Sequence, residues 1–188
     1  AHIGHYAGLV HLGREVMGAR GVAVHAMPRM AEFLRHNGPW SQLVSLENIR
    51  LLEISADVPF ELSPSLQVTA LVVPHRDEFS ETVGYVVRGP ERALLWLPDI
   101  DKWTRWSRDL GAVLETVDVA YVDATFYDGR ELPGRNILEV PHPPMIRTME
   151  LLEAMGRKTP GRVRFIHLNH TNPALNDLDL QDEIRGRG

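Results

Sequence analysis

The segment Ala1-His2-Ile3-Gly4-His5-Tyr6-Ala7-Gly8-Leu9 holds two imidazoles three residues apart. In a loop entering a helix, that spacing lets both rings point into one cavity, and Gly8 permits a close approach at the helix start. Further polar residues follow apolar runs directly. His75 comes just after Val68–Val73, Asp99 just after Ala93–Leu97, Asp123 ends Val119–Val122, and His170 follows Phe165–Leu168. Strand ends held by a rigid sheet are where binding and catalytic groups are usually mounted. Each residue also has a structural explanation: a turn Asp such as Asp99 bonds backbone amides, and His2 and His5 could be surface residues. Recurrence after so many apolar runs favours a site. The chain has nine histidines and no cysteine, so His with Asp is its natural means of holding a metal ion.

The elements that must carry these residues can be read from the pattern. Leu9, Val10, Leu12, Val16 and Met17 are spaced for one helix face between Gly8 and Gly18. Val22–Val24 reads as a short buried strand. Pro28 opens a helix that Gly38 closes, with Met30, Phe33 and Leu34 facing a core. Strands are expected over 49–54, 66–73, 82–87 and 92–97, the last two joined by a turn at Gly89-Pro90. A helix is expected over 102–110, a strand over 119–122, a helix from Met145 to about Met155 and a last strand over 162–168. The charged tail from Asn176 reads as frayed. Strands alternating with helices in the second half, and hairpins in the middle, give a layered α/β (α+β) domain.

The order His-x-x-His-x-x-Gly-Leu, a strand-ending His, Pro-Asp after a strand and a late strand-ending His resembles the metallo-β-lactamase superfamily. The closer resemblance is to the pyrroloquinoline quinone biosynthesis protein B family. It is carried by Pro74-His75-Arg76-Asp77, by Val122-Asp123-Ala124-Thr125-Phe126-Tyr127 and by Phe165-Ile166-His167-Leu168-Asn169-His170-Thr171-Asn172-Pro173-Ala174-Leu175. It runs from Ala1 to about Leu175.

The resemblance implies an αββα sandwich. It also implies His2, His5, His75, Asp99 and His170 as metal ligands, with Asp99 bridging two metals. His142, in Val-Pro-His-Pro-Pro, resembles a His that assists beside the metal in related nucleases, so Asp99 and His142 are the expected catalytic residues. His167, three residues before His170, is expected to support the ligands from behind. Three departures stand out. The signature's first His would precede Ala1. Gly4 occupies the position of an Asp that holds the second metal. The N-terminal sheet of the sandwich has no counterpart here. Residues 1–175 are therefore expected to be the C-terminal part of one such domain, and 176–188 its tail. Without a partner sheet, strands 66–73 and 82–97 are expected to expose apolar surface that promotes association.

His2, His75 and Asp99 make a two-His, one-carboxylate set that suits zinc or iron. With Gly4 in place of Asp, one metal is expected to bind tightly and a second weakly. The first functional expectation is a hydrolase in which metal-bound hydroxide attacks an ester, phosphodiester or lactam-like bond. The second is an iron-dependent oxidative step in quinone-cofactor biosynthesis, and the third a binding or carrier protein with a decayed site. His11, His25 and His36 read as structural, and the four tryptophans as core or rim.

Composition narrows the partners. The 188 residues carry 20 basic and 25 acidic side chains, a formal net charge of −5, which argues against a broad nucleic-acid surface. The 44% hydrophobic and 24% charged content is that of a folded domain. Absence of cysteine excludes disulfides, thiolate nucleophiles and Cys-ligated metals. The apolar runs are too short to cross a bilayer, and no signal segment is visible. A cytoplasmic protein acting on a small-molecule substrate is expected, with a homodimer as its candidate assembly.

Overall fold

The computed structural model describes residues 2–156 and 162–187, so Ala1 and Gly188, at the ends of the expected domain and tail, lie outside the described residues. The contacts divide the chain into two compact units. The first runs to Val58 and takes in Asp77–Thr82; the second holds Pro59–Arg76 and the residues from Val83 onward.

In the first unit, α1 (Ile3–Tyr6) leads into a 3₁₀ turn over Ala7–Leu12. The single helix expected from Gly8 to Gly18 does not form. Gly18 has φ +55°, a conformation that ends helical geometry and suits glycine. Val10, Val16 and Met17, read as a helix face, are exposed. The parallel strands β1 (Val22–Ala26) and β2 (Ile49–Glu53) pair in register from Val22 opposite Ile49 to Ala26 opposite Glu53. Helices α2 (Pro28–His36) and α3 (Trp40–Ser45) connect them, as a parallel pair requires. Leu34, Trp40, Leu43 and Ile49 form the core, with Tyr6 edge-on to Trp40 at 4.9 Å between ring centroids.

The second unit is built on a six-stranded sheet in the order β3-β4-β5-β6-β7-β8. The strands are β3 (Phe60–Ser63), β4 (Leu66–Val72), β5 (Val83–Arg88), β6 (Ala93–Leu97), β7 (Val119–Asp123) and β8 (Val163–Ile166). β3 to β6 pair antiparallel, and β6, β7 and β8 pair parallel. Two antiparallel steps separate β4 from β6, so β4, β6, β7 and β8 all run the same way. Their C-terminal ends lie at one edge of the sheet.

One sheet face carries Val86, Leu95, Leu97, Ala120 and Val122, which pack with Trp106, Leu110, Leu114 and Leu152. The last three come from α4 (Leu110–Glu115) and α5 (Met145–Ala154). On the other face the strand register aligns Tyr85, Trp96, Tyr121 and Arg164 in one row across the sheet. Val72 and Trp96 remain 44% and 43% exposed.

The helix expected over 102–110 is instead a 3₁₀ turn at Trp103–Arg105 followed by α4. Each indole N–H claims a distant partner: Trp103 donates to Thr148 Oγ1 and Trp106 to the Val72 carbonyl, both at 2.9 Å. These anchors hold the segment across sheet and helix. The true helix start is marked by Asp109, whose Oδ1 accepts from Ala112 N at 2.7 Å.

The tail is also ordered. α6 (Leu178–Arg187) is tied to α5 by Arg187, which donates to both carboxylate oxygens of Glu153 at 2.8 and 3.1 Å. The mixed α/β class is as expected from sequence. Among the described residues, no helix is long and apolar enough to cross a membrane.

Candidate metal centre

The shared strand direction gathers the polar residues that follow β4, β6, β7 and β8. His75 lies beyond β4, Asp99 beyond β6, Asp123 closes β7, and His167 follows β8 at once. Pro74 and Pro98 end their strands just before the functional residue, since proline cannot donate to the ladder. The Asp101 N–H donates to the Pro74 carbonyl at 2.7 Å and ties the first two of these loops together.

His142 reaches the same edge from the loop before α5. Met145 N donates to Phe126 O at 2.9 Å and Ile146 N to Tyr127 O at 3.1 Å, which fixes the start of α5 beside the end of β7. Lys102 donates through Nζ to the His142 carbonyl at 2.8 Å and to the Val140 carbonyl. Burial lowers the Lys102 pKa, and the neighbouring Asp101 carboxylate works in the opposite direction. The ammonium thus acts as a clamp on the His142 loop.

The side chains form two linked pairs. His75 Nε2 is 2.8 Å from Asp99 Oδ1, and these side chains are only 2% and 6% exposed. His142 Nδ1 is 2.7 Å from Asp123 Oδ2 and 3.4 Å from Asp99 Oδ1. The rings of His75 and His142 meet edge-on, with centroids 5.1 Å apart. Asp123 accepts four hydrogen bonds. Thr125 N and Thr125 Oγ1 donate to its Oδ1 at 2.8 and 2.7 Å, and Ile100 N and His142 Nδ1 donate to its Oδ2 at 3.1 and 2.7 Å. One oxygen or nitrogen from each of Asp99, Asp123, His142 and His167 lies within 4.8 Å of the others.

The sequence-based assignments distribute unevenly over this geometry. His75, Asp99 and His142 come together as expected from the resemblance. His167 joins them, whereas His170 is exposed in the following turn and is not part of the four-residue group. Of the two histidines, His167 is the one that the fold brings beside Asp99 and Asp123. The reason is the backbone: His167 has φ +65°, which turns the chain sharply at the end of β8. Asn169 N then donates to the Thr125 carbonyl at 3.0 Å, and Asn172 Nδ2 to the Ala124 carbonyl at 2.8 Å. His2 caps α1 and His5 lies within it, both in the first unit, with ring centroids 6.2 Å apart.

The sequence marks Asp123 as a strand-end candidate and places His167 behind the ligands, but assigns neither as a ligand. The left-handed backbone that brings His167 into the group leaves no mark in the sequence pattern.

Residues 1–168 match the profile of the beta-lactamase superfamily domain. The chain belongs to that family.

Among curated proteins, the chain is similar to coenzyme PQQ synthesis protein B of Methylobacterium sp. (strain 4-46). The two are 27% identical over 191 residues, covering 92% of this chain and 61% of the relative. The protein of the same name from Methylobacterium radiotolerans is 28% identical over 145 residues, covering 65% of this chain and 46% of that one. The chain thus spans about 61% of the length of the first of these relatives.

Solved structures share the fold. Zinc-bound PqqB from Methylobacterium extorquens superposes with a TM-score of 0.74 at 21% identity, over 97% of this chain and 64% of that one. Unliganded yeast PDE1 gives a TM-score of 0.67 at 15% identity, over 100% of this chain and 62% of that one.

Proposed function

We propose that the second unit belongs to a metal-dependent hydrolase acting on a small-molecule ester, phosphodiester or lactam-like bond. The observation that carries this reading is His142 held by the fully buried Asp123 and set against the His75–Asp99 pair. The donor set fits a metal: imidazole nitrogens and carboxylate oxygens converge within 4.8 Å, the ligand chemistry of zinc and ferrous iron. Asp99 and His167 of that group would hold the ion, with His75 beside Asp99 at 2.8 Å. A divalent cation bound there supplies a Lewis acid and lowers the pKa of water.

The chain's own residues do the rest. Asp123 keeps the Nδ1–H of His142 engaged at 2.7 Å, so the imidazole accepts or returns a proton through Nε2. Lys102, by holding the His142 carbonyl, keeps that ring from swinging out. Zinc is the favoured ion, in line with the zinc-bound state of the similar PqqB structure.

The test is metal analysis of the purified full-length protein followed by assay on bis(p-nitrophenyl) phosphate and on p-nitrophenyl esters. Zinc-dependent cleavage that His142→Ala abolishes supports this reading. Stoichiometric zinc with no cleavage of any such bond overturns it.

A second reading is favoured by the two curated relatives, both named coenzyme PQQ synthesis protein B. On that reading the site binds ferrous iron and serves an oxidative step in the making of a quinone cofactor. Oxygen uptake that depends on ferrous iron, without hydrolysis, would replace the first reading with the second.

A further inference from the structure

We propose that Thr125 is the positioning residue that fixes which ring nitrogen of His142 and His167 carries the proton and which is left to accept. Its Oγ1 is the junction of the site: it lies 2.7 Å from Asp123 Oδ1, 2.9 Å from His167 Nδ1 and 3.1 Å from His142 Nδ1.

A count of protons decides the arrangement. An ionised carboxylate only accepts hydrogen bonds, and a threonine hydroxyl has one proton to donate. The Asp123 side chain is 0% exposed, and Oδ1 already takes the Thr125 N–H. The hydroxyl proton must point at Oδ1. The opposite orientation would press the lone pairs of two oxygens together at 2.7 Å in a buried site. With its proton committed, Thr125 Oγ1 can only accept from His167. His167 Nδ1 must therefore carry hydrogen.

The same reasoning covers His142. Its Nδ1 faces Asp123 Oδ2 at 2.7 Å and the accepting Thr125 oxygen at 3.1 Å, so it too carries hydrogen on Nδ1. In a neutral imidazole the other nitrogen then holds the lone pair. In both rings Nε2 is left as the nitrogen able to accept or to ligate. Asp123, with four hydrogen bonds accepted, serves as the anchor behind them.

The backbone serves this junction. His167 holds a left-handed φ of +65°, and Asn172 Nδ2 bonds the carbonyls of Ala124 and Thr125 at 2.8 and 3.4 Å. Sequence-remote loops are thereby locked around one hydroxyl. That the free Nε2 atoms meet a metal rests on the metal-dependent reading above; the tautomers do not.

The test uses full-length protein labelled with ¹⁵N-histidine and freed of metal. Long-range proton–nitrogen correlation, recorded where each ring's own nitrogen shifts show it neutral, reports the tautomer of each ring. Wild type and Thr125→Ser should both show His142 and His167 protonated at Nδ1. Thr125→Val should lose the Nδ1–H preference at His167 and weaken zinc binding by about 10- to 100-fold, as loss of an orienting partner does. Thr125→Ser should restore both. Nε2–H tautomers in the wild type, or an unaltered His167 signature in Thr125→Val, would overturn the proposal. Should the valine variant not fold, the wild-type and serine spectra decide it alone. Nδ1–H tautomers in a protein that binds no zinc or ferrous iron would uphold the role of Thr125 and overturn the metal-dependent reading.

Discussion

His142 Nδ1 lies 2.7 Å from Asp123 Oδ2, and the Asp123 side chain is completely buried. That carboxylate accepts from two backbone amides, a hydroxyl and an imidazole. Asp123→Asn keeps the shape but removes the charge, and replaces one accepting oxygen by an NH₂ that must face donors. Breaking a buried charged network in this way costs about 3–5 kcal/mol. The expected outcome is a lower urea midpoint with an unchanged slope, and loss of activity in whatever protein remains folded. An unaltered midpoint would show that the network is not formed.

His75 and Asp99 are predicted to matter for metal rather than for folding. His75 Nε2 and Asp99 Oδ1 face each other at 2.8 Å, close enough for both to reach one bound ion. His75→Ala removes a ligand and leaves Asp99 without that partner. Titration with zinc and with ferrous iron should show the tight site lost. Asp99→Asn should do the same, since a neutral amide oxygen is a poor substitute for a carboxylate. Tight stoichiometric binding in both variants would move the metal centre elsewhere.

The strands that mount the site were readable because apolar runs bounded by Pro, Gly and polar residues are a local signal. β4, β6, β7 and β8 lie within a few residues of their expected places. The resemblance added His75, Asp99 and His142. What sequence could not supply was anything set by contacts between distant segments. The stretch from Lys102 to Leu110 has apolar residues at helical spacing, yet two indole N–H bonds to Thr148 and Val72 hold it as a turn. His167 and His170 look interchangeable in Ile-His-Leu-Asn-His-Thr, and only the left-handed backbone at His167 separates them. The tail after Asn176 reads as frayed because its charges suit solvent, but Arg187 finds Glu153 across 34 residues.

Asn172 tests how far the site depends on its supporting loop. It is 1% exposed, with Nδ2 donating to the Ala124 carbonyl at 2.8 Å and Oδ1 accepting from Ala174 N at 3.0 Å. Asn172→Ala strands a buried carbonyl and removes the cap of the short turn Pro173–Leu175. The expected loss is about 1–3 kcal/mol, the cost of leaving a buried group unpaired. Denaturant titration measures it. Amide exchange at Asn169, which bonds the Thr125 carbonyl at 3.0 Å, should speed up in parallel. A stability loss without faster exchange at Asn169 would detach Asn172 from the loop that carries His167.

Tyr85 gives a prediction at alkaline pH. It stands opposite Trp96 in the register of β5 and β6, and burial raises its phenol pKa above the ordinary value of 10.0. Burial penalises the phenolate, so the folded state resists losing this proton while the unfolded chain does not. The unfolded tyrosine ionises near pH 10, and the folded one only above that. Stability from this group is therefore complete below about pH 10 and falls as pH rises towards the folded pKa, with a limiting slope of about 1.4 kcal/mol per pH unit. Tyr85→Phe removes the titrating group and keeps the ring. Denaturant midpoints of the two proteins should agree in their pH trend between pH 7 and 9. Above pH 10 the wild type should lose stability more steeply than the phenylalanine variant. Parallel curves across the whole range would mean that Tyr85 ionises as freely in the folded protein as in the unfolded chain, and that the face of the sheet around it is open to water.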